Sequence, residues 1–164
     1  MMYIEPEMTV DEDGTECWFL NGKLHREDAP AMIESDGSQR WFLNGKLHRT
    51  EGPAVIYSDG DQYWYQNGQR HREDGPAVIY LDGEQLWYLN DEAHRTDGPA
   101  MIFPDGEQLW YQNGVRHRTD GPALIYPNGS QYWFLNGEAY DFSKWLAALD
   151  ADDKTKTLLT LKWS

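Results

Sequence analysis

The stretch from Asp59 to Tyr80, DGDQYWYQNGQRHREDGPAVIY, decides the fold, because it recurs along the chain with little change. Its tryptophan, Trp64, is one of six set 23 residues apart: Trp18, Trp41, Trp64, Trp87, Trp110 and Trp133. A period of that length marks stacked supersecondary units, each too small to bury its own apolar face. Two turn signals divide the unit. Asn44-Gly45, Asn67-Gly68, Asn113-Gly114 and Asn136-Gly137 supply the paired positive φ angles of a two-residue hairpin, between runs rich in aromatic and β-branched residues. Asp36-Gly37, Asp59-Gly60, Asp82-Gly83, Asp105-Gly106 and Asn128-Gly129 then return the chain into the next tryptophan strand, so that hairpins follow one another as a meander. Proline has no N–H, so Gly-Pro at 52-53, 75-76, 98-99 and 121-122 places the start of each paired strand at the following alanine.

The 164 residues are 40% hydrophobic and 14% aromatic, too rich in large apolar side chains for a disordered chain. Fourteen basic residues against 28 acidic ones leave a net charge of −14, which disfavours phosphate backbones and anionic lipid as partners. The single cysteine, Cys17, excludes an intramolecular disulfide. With no apolar run of membrane-spanning length and an acidic N-terminus, the expectation is a cytoplasmic protein without membrane or nucleic-acid partners.

The order Asp-Gly, aromatic, Asn-Gly, two residues, His and then Gly resembles the MORN repeat family over about residues 16 to 139, with His-Arg-x-Asp-Gly-Pro standing where that family has His-Gly-x-Gly. The resemblance implies an elongated, single-layer antiparallel sheet of stacked hairpins used mainly to hold proteins together or at membranes. The array is also similar to repeat proteins of bacteriophages and bacteria, including a MORN-like antitoxin group. The expected fold is mainly β: a lead-in over 1–15, the array of 23-residue hairpin repeats over 16–139, and a short C-terminal helical cap over 140–164. In the cap, Ser143 or Asp141 can start a helix carrying Phe142, Trp145, Leu146 and Leu149, and Asp152 or Asp153 a second carrying Leu158, Leu159 and Leu161.

Alternation along strands assigns faces. The tryptophans, backed by Ile33, Ile56, Ile79, Ile102 and Ile125, read as the internal stack. The opposite face carries Phe19, Phe42, Tyr65, Tyr88, Tyr111 and Phe134, with Tyr57, Tyr80, Phe103 and Tyr126, and is partly covered by the C-terminal helices or left for a partner. Positions that differ between copies are free of the stacking constraint. The residue before each tryptophan is one, and it shares the phenylalanine and tyrosine face. The expected partner-binding strip is therefore Arg40, Phe42, Tyr63, Tyr65, Leu86, Tyr88, Leu109, Tyr111 and Tyr132.

Five histidines, His25, His48, His71, His94 and His117, recur at one position per unit, about two strand spacings or roughly 10 Å apart, too far to share one zinc. The adjacent Arg26, Arg49, Arg72, Arg95 and Arg118 each precede an acid by two residues, which reads as a local arginine–carboxylate turn rather than a phosphate site. No catalytic, cofactor or metal residues are assigned, since one motif copied five times is not the asymmetric constellation that catalysis uses. The expected function is a non-enzymatic protein-binding module, an inhibitor of a host defence enzyme or an antitoxin-like neutraliser. A structural or homodimerisation scaffold and a small-nucleotide sequestering protein are the alternatives.

Overall fold

The computed structural model describes residues 5–163, so Met1 to Ile4, the start of the expected lead-in, lie outside the described residues. Among the described residues the chain forms 22 short strands and two helices, the helices following the last strand. The fold is mainly β and antiparallel, built of 23-residue hairpin repeats. It divides into two compact units, the first ending at Asp91 and the second starting at Glu92.

The first unit is a ladder of strands Glu7–Val10, Glu16–Leu20, Met32–Ile33, Gln39–Arg40, Val55–Ile56, Gln62–Tyr63, Val78–Ile79 and Gln85–Leu86, each paired with the next. The second unit repeats the pattern through Met101–Ile102, Gln108–Leu109, Leu124–Ile125, Gln131–Leu135 and Glu138–Tyr140. Between ladder strands each repeat extends a smaller hairpin, such as Tyr65–Gln66 paired with Gln69–Arg70. In the middle repeats the tryptophan interrupts what the sequence reads as one continuous strand, so the segments are shorter and more numerous than one hairpin per repeat would give. Trp64 still donates its backbone N–H to Ala77 O at 2.8 Å and accepts from His71 N at 3.0 Å. Ala54 donates to Tyr63 O at 2.8 Å, so pairing does begin at the alanine after each Gly-Pro.

Both turns are made as their residues dictate. Asn67 has φ 53° and Gly68 φ 88°, the paired positive angles of a two-residue turn. In the second turn Gly60 donates to Tyr57 O and Tyr57 to Asp61 O, while the Asp59 carboxylate accepts the Asp61 N–H at 3.1 Å. That side-chain bond replaces one the backbone cannot make in the turn.

The core draws on both faces and not on the tryptophan face alone. On the tryptophan face Trp41 and the alanines Ala54, Ala77, Ala100 and Ala123 are buried, and on the other face Val55, Val78, Leu109 and Leu124, whereas Ile56, Ile79, Trp64 and Trp110 are only half-buried. Register explains the difference. Val78 lies opposite Tyr63 on one side and Leu86 on the other, which cover it, while Ile79 lies between Gln62 and Gln85. The row Met32, Arg40, Val55, Tyr63, Val78, Leu86 is thus continuous across five pairings, with Val55, Val78 and Leu86 buried and Met32, Arg40 and Tyr63 half-exposed.

Helix α1, Phe142–Ala148, is capped by Asp141, which accepts from Lys144 N at 2.8 Å. Helix α2, Asp153–Trp163, follows Asp152, whose carboxylate accepts from Thr155 N at 2.7 Å. Their core is Leu135, Trp145, Leu149 and Leu159, packed on Trp133, Tyr140 and Phe142. The helices therefore cover the tryptophan face of the last repeat and not the phenylalanine and tyrosine face. Of the three leucines assigned to the second helix only Leu159 is buried; Leu158 is 58% and Leu161 77% exposed.

Candidate protein-binding surface

The repeated polar residues are spent on holding the repeats together. The His48 Nδ1 accepts the backbone N–H of Asn67 at 3.1 Å, and His25, His94 and His117 bind Asn44, Asn113 and Asn136 in the same way. In His25 and His94 the same nitrogen also lies 3.1 and 3.0 Å from the side-chain oxygens of Asn44 and Asn113. His71 likewise approaches the Asn90 side-chain oxygen at 2.9 Å. Each histidine thus fastens one repeat to the hairpin turn of the next. Among the described residues no three His, Cys, Asp or Glu come together as a metal site.

Each arginine after a histidine closes its own loop. Arg72 donates through Nε to Asp74 at 2.9 Å and through a terminal nitrogen to Pro76 O at 3.2 Å, while its guanidinium lies 4.1 Å from the Trp64 ring centre. Arg118 does the same with Asp120, Pro122 and Trp110. The arginine–carboxylate turn read in the sequence is present, and the stacking on tryptophan is an addition to it. Hydrogen bonding from Arg72 holds the Asp74 carboxyl below its ordinary value, and Arg95 does likewise for Asp97. Arg49 has Pro53 O and Trp41 as partners.

The face opposite the tryptophans is where the copies differ. In the first unit Arg40 and Tyr63 stand in the ladder row, and Phe42, Tyr65 and Tyr88 on the hairpin strands; all five are half-exposed. Tyr57, Tyr63 and Tyr80 form an edge-to-face series with ring centres 5.4 and 5.7 Å apart. Arg40 continues it, its guanidinium 5.2 Å from Tyr57 and its Nε bound to Glu34. Burial, with the Tyr80 phenol beside it, pushes the Tyr63 hydroxyl well above the usual tyrosine range, and burial also raises Tyr65. Beside this series Arg70 lies opposite Tyr65 and stacks on Tyr88 at 3.9 Å. It also donates through Nε to Asp91 at 2.8 Å.

Leu86, at 8% exposure, and Leu109, at 6%, are core residues and leave the expected strip. In the second unit Tyr111 is half-exposed and bound through its hydroxyl to Arg116 Nε at 3.1 Å, and Tyr132, 49% exposed, meets Tyr126 edge-on at 5.8 Å. Arg70 and Arg116 were missed as members of this surface. Counting outward from the two-residue turn could have found Arg70, because Gln66 opposite Gln69 puts Tyr65 opposite Arg70.

No helix among the described residues is long and apolar enough to cross a membrane. Comparison with known protein families and with curated proteins finds no match for this chain.

Proposed function

We propose that this chain is a non-enzymatic protein-binding module. The observation that carries the reading is the half-exposed series Arg40, Tyr57, Tyr63 and Tyr80 on the first unit, flanked by Tyr65, Arg70 and Tyr88. Tyrosine and arginine are the residues that anchor protein interfaces, since each offers a large flat contact with a polar end. Their packing against one another fixes the rings before a partner arrives, which lowers the entropy cost of binding. The repeated histidine, arginine and tryptophan, by contrast, are engaged within the fold. The proposed mode of action is occlusion: the module covers a partner protein and inhibits or neutralises it, as an anti-defence factor or antitoxin would.

The test replaces Tyr80 with a photo-cross-linking phenylalanine analogue and irradiates the chain in a lysate of its source cell. The expected product is a covalent adduct with one distinct protein, absent when the analogue sits at exposed Glu12 in the first turn. An adduct formed equally from both positions, or none, contradicts the reading. A second reading, self-association, is favoured by the exposed Leu158 and Leu161 on α2, and adducts between two copies of the chain would mark it.

A further inference from the structure

The His-Arg loops of consecutive repeats frame a cleft over the intervening tryptophan. In the first unit it is lined by Arg49, Glu51, Gly52, Trp64, Gln66 and His71, with a volume of about 510 Å³. The second unit holds the same cleft one pair of repeats later, over Trp110 between Arg95 and Arg118, with about 340 Å³. Volumes of this size accept a large side chain with its neighbours.

At the last pair of repeats the equivalent positions, 69 residues beyond the first cleft, are Arg118, Asp120, Gly121, Trp133, Leu135 and Tyr140. There the cleft is full. Trp145 is wholly buried in it, 6.5 Å from Trp133 between ring centres, and its indole N–H donates to Arg118 O at 3.1 Å. Trp163 lies against Gly121, near enough that a Cβ there would meet its ring at 2.7 Å, and donates to Asp120 O at 3.0 Å. Gly121 and Pro122 are buried as a result, whereas Gly52 and Pro53 are half-exposed. Burial pushes the Asp120 carboxyl up, but Arg118 and Lys162, the residue before Trp163, hold it below its ordinary value. The chain thus shows how its own loop is occupied: the indoles of Trp145 and Trp163 each donate to a loop carbonyl, and Lys162 lies with its ammonium 4.8 Å from the Trp163 ring centre.

We propose that the open cleft between Arg49 and Arg72 is a socket for a helix of a partner protein that carries a lysine–tryptophan pair, seated as Lys162 and Trp163 are seated on the loop at Asp120. Charge favours this occupant, because the carboxylates of Glu51, Glu73 and Asp74 outnumber the guanidiniums of Arg49 and Arg72 in the cleft, Arg72 being paired with Asp74, and the chain carries net −14. The lining differs from the filled site along its far edge: Gln66, His71, Arg72, Glu73 and Asp74 stand where the filled site has Leu135, Tyr140, Asp141, Phe142 and Ser143, and Arg72 stacks on Trp64 where Phe142 and Trp145 pack on Trp133, so the socket offers the Gly52 loop to a ring with polar flanks rather than a bed for a leucine-rich helix. The proposal rests on the reading of the chain as a protein-binding module and names a second contact for it.

The probe is a capped peptide of residues 152–163, added to the isotopically labelled full chain and followed by NMR. Shifts are expected at Gly52, the Trp64 indole N–H and His71. Glu51→Lys should weaken the peptide at least tenfold, Gln66→Trp should block it by filling the cleft, and a peptide with alanine for its tryptophan should not bind. Shifts confined to loop 118–122, where the peptide would displace the chain's own helix, overturn the proposal, as does equal binding of the alanine peptide. If Gln66→Trp leaves the Tyr80 cross-link in lysate unchanged, the socket is overturned while the protein-binding reading stands.

Discussion

Asp91 occupies the place that glycine holds in the other hairpin turns, at φ 66° where L residues are strained. Two bonds offset the strain, from Arg70 Nε at 2.8 Å and Arg70 N at 3.1 Å. Releasing strain of about 1 kcal/mol and losing a surface ion pair of similar size nearly cancel, so Asp91→Gly should unfold in urea within about 1 kcal/mol of wild type. Gly68→Val has no such compensation. Its Cβ would sit 3.7 Å from Lys46, an ordinary contact, so the cost is the φ of 88° alone, about 2 kcal/mol for a β-branched residue. Burial pushes the Asp91 carboxyl up, but the Arg70 hydrogen bonds and charge outweigh it and hold it below its ordinary 3.8. A carboxyl depressed by folding stabilises the fold above its ordinary value, and that contribution disappears as pH falls from 3.8 through the folded value. Asp91→Asn should therefore show a shallower loss of unfolding midpoint across that window than wild type, and a parallel curve above it. The turns were legible at this scale because Asn-Gly carries its own geometry. The role of histidine was not, since an Nδ1 accepting from the next repeat has no signature beyond recurrence.

Within an element, register settles which face is core. Val78 and Ile79 are neighbours of similar chemistry, yet Val78 is 1% exposed between Tyr63 and Leu86 and Ile79 is half-exposed between two glutamines. Burying a hydroxyl without a partner costs about 1–3 kcal/mol, so Val78→Thr should lower stability by about 2 kcal/mol and Ile79→Thr by less than half of that. Equal losses, read from denaturant midpoints, would contradict the face assignment. Strand alternation alone correctly separated the two rows, but identity between repeats was taken for burial along the whole tryptophan and isoleucine row, of which Trp41 is buried while Trp64, Trp110 and Ile79 are half-exposed. Trp64 is invariant because Arg72 stacks on it and the ladder passes through its backbone, neither of which requires a buried ring. His48→Ala removes one bond between repeats and should cost about 1 kcal/mol.

Over the whole molecule, the period of 23 residues made the β-hairpin array readable, and the break in the pattern after Gly137 located the helices. What they cover was not readable, because it depends on Trp145 and Trp163 finding the loop carbonyls of Arg118 and Asp120 far back in the sequence. Trp145→Ala should cost about 3–5 kcal/mol of local stability and expose the amides of α1 and α2 to hydrogen exchange. The central claim is a division of labour: repeated histidine and arginine hold the fold, and the tyrosine series meets the partner. Its most direct test measures denaturant unfolding and capture of the cross-linked partner for two pairs of variants, Tyr57→Ala with Tyr80→Ala and His48→Ala with Arg26→Ala, Arg26 being the loop arginine that stacks on Trp18 away from the socket. The tyrosine pair should keep most of the unfolding midpoint and lose binding by at least tenfold, since truncating an interface anchor costs about 2 kcal/mol. The histidine and arginine pair should lower the midpoint and bind normally below it. Tyrosine variants that bind as wild type, or histidine and arginine variants that stay fully stable while losing the partner, would contradict the account.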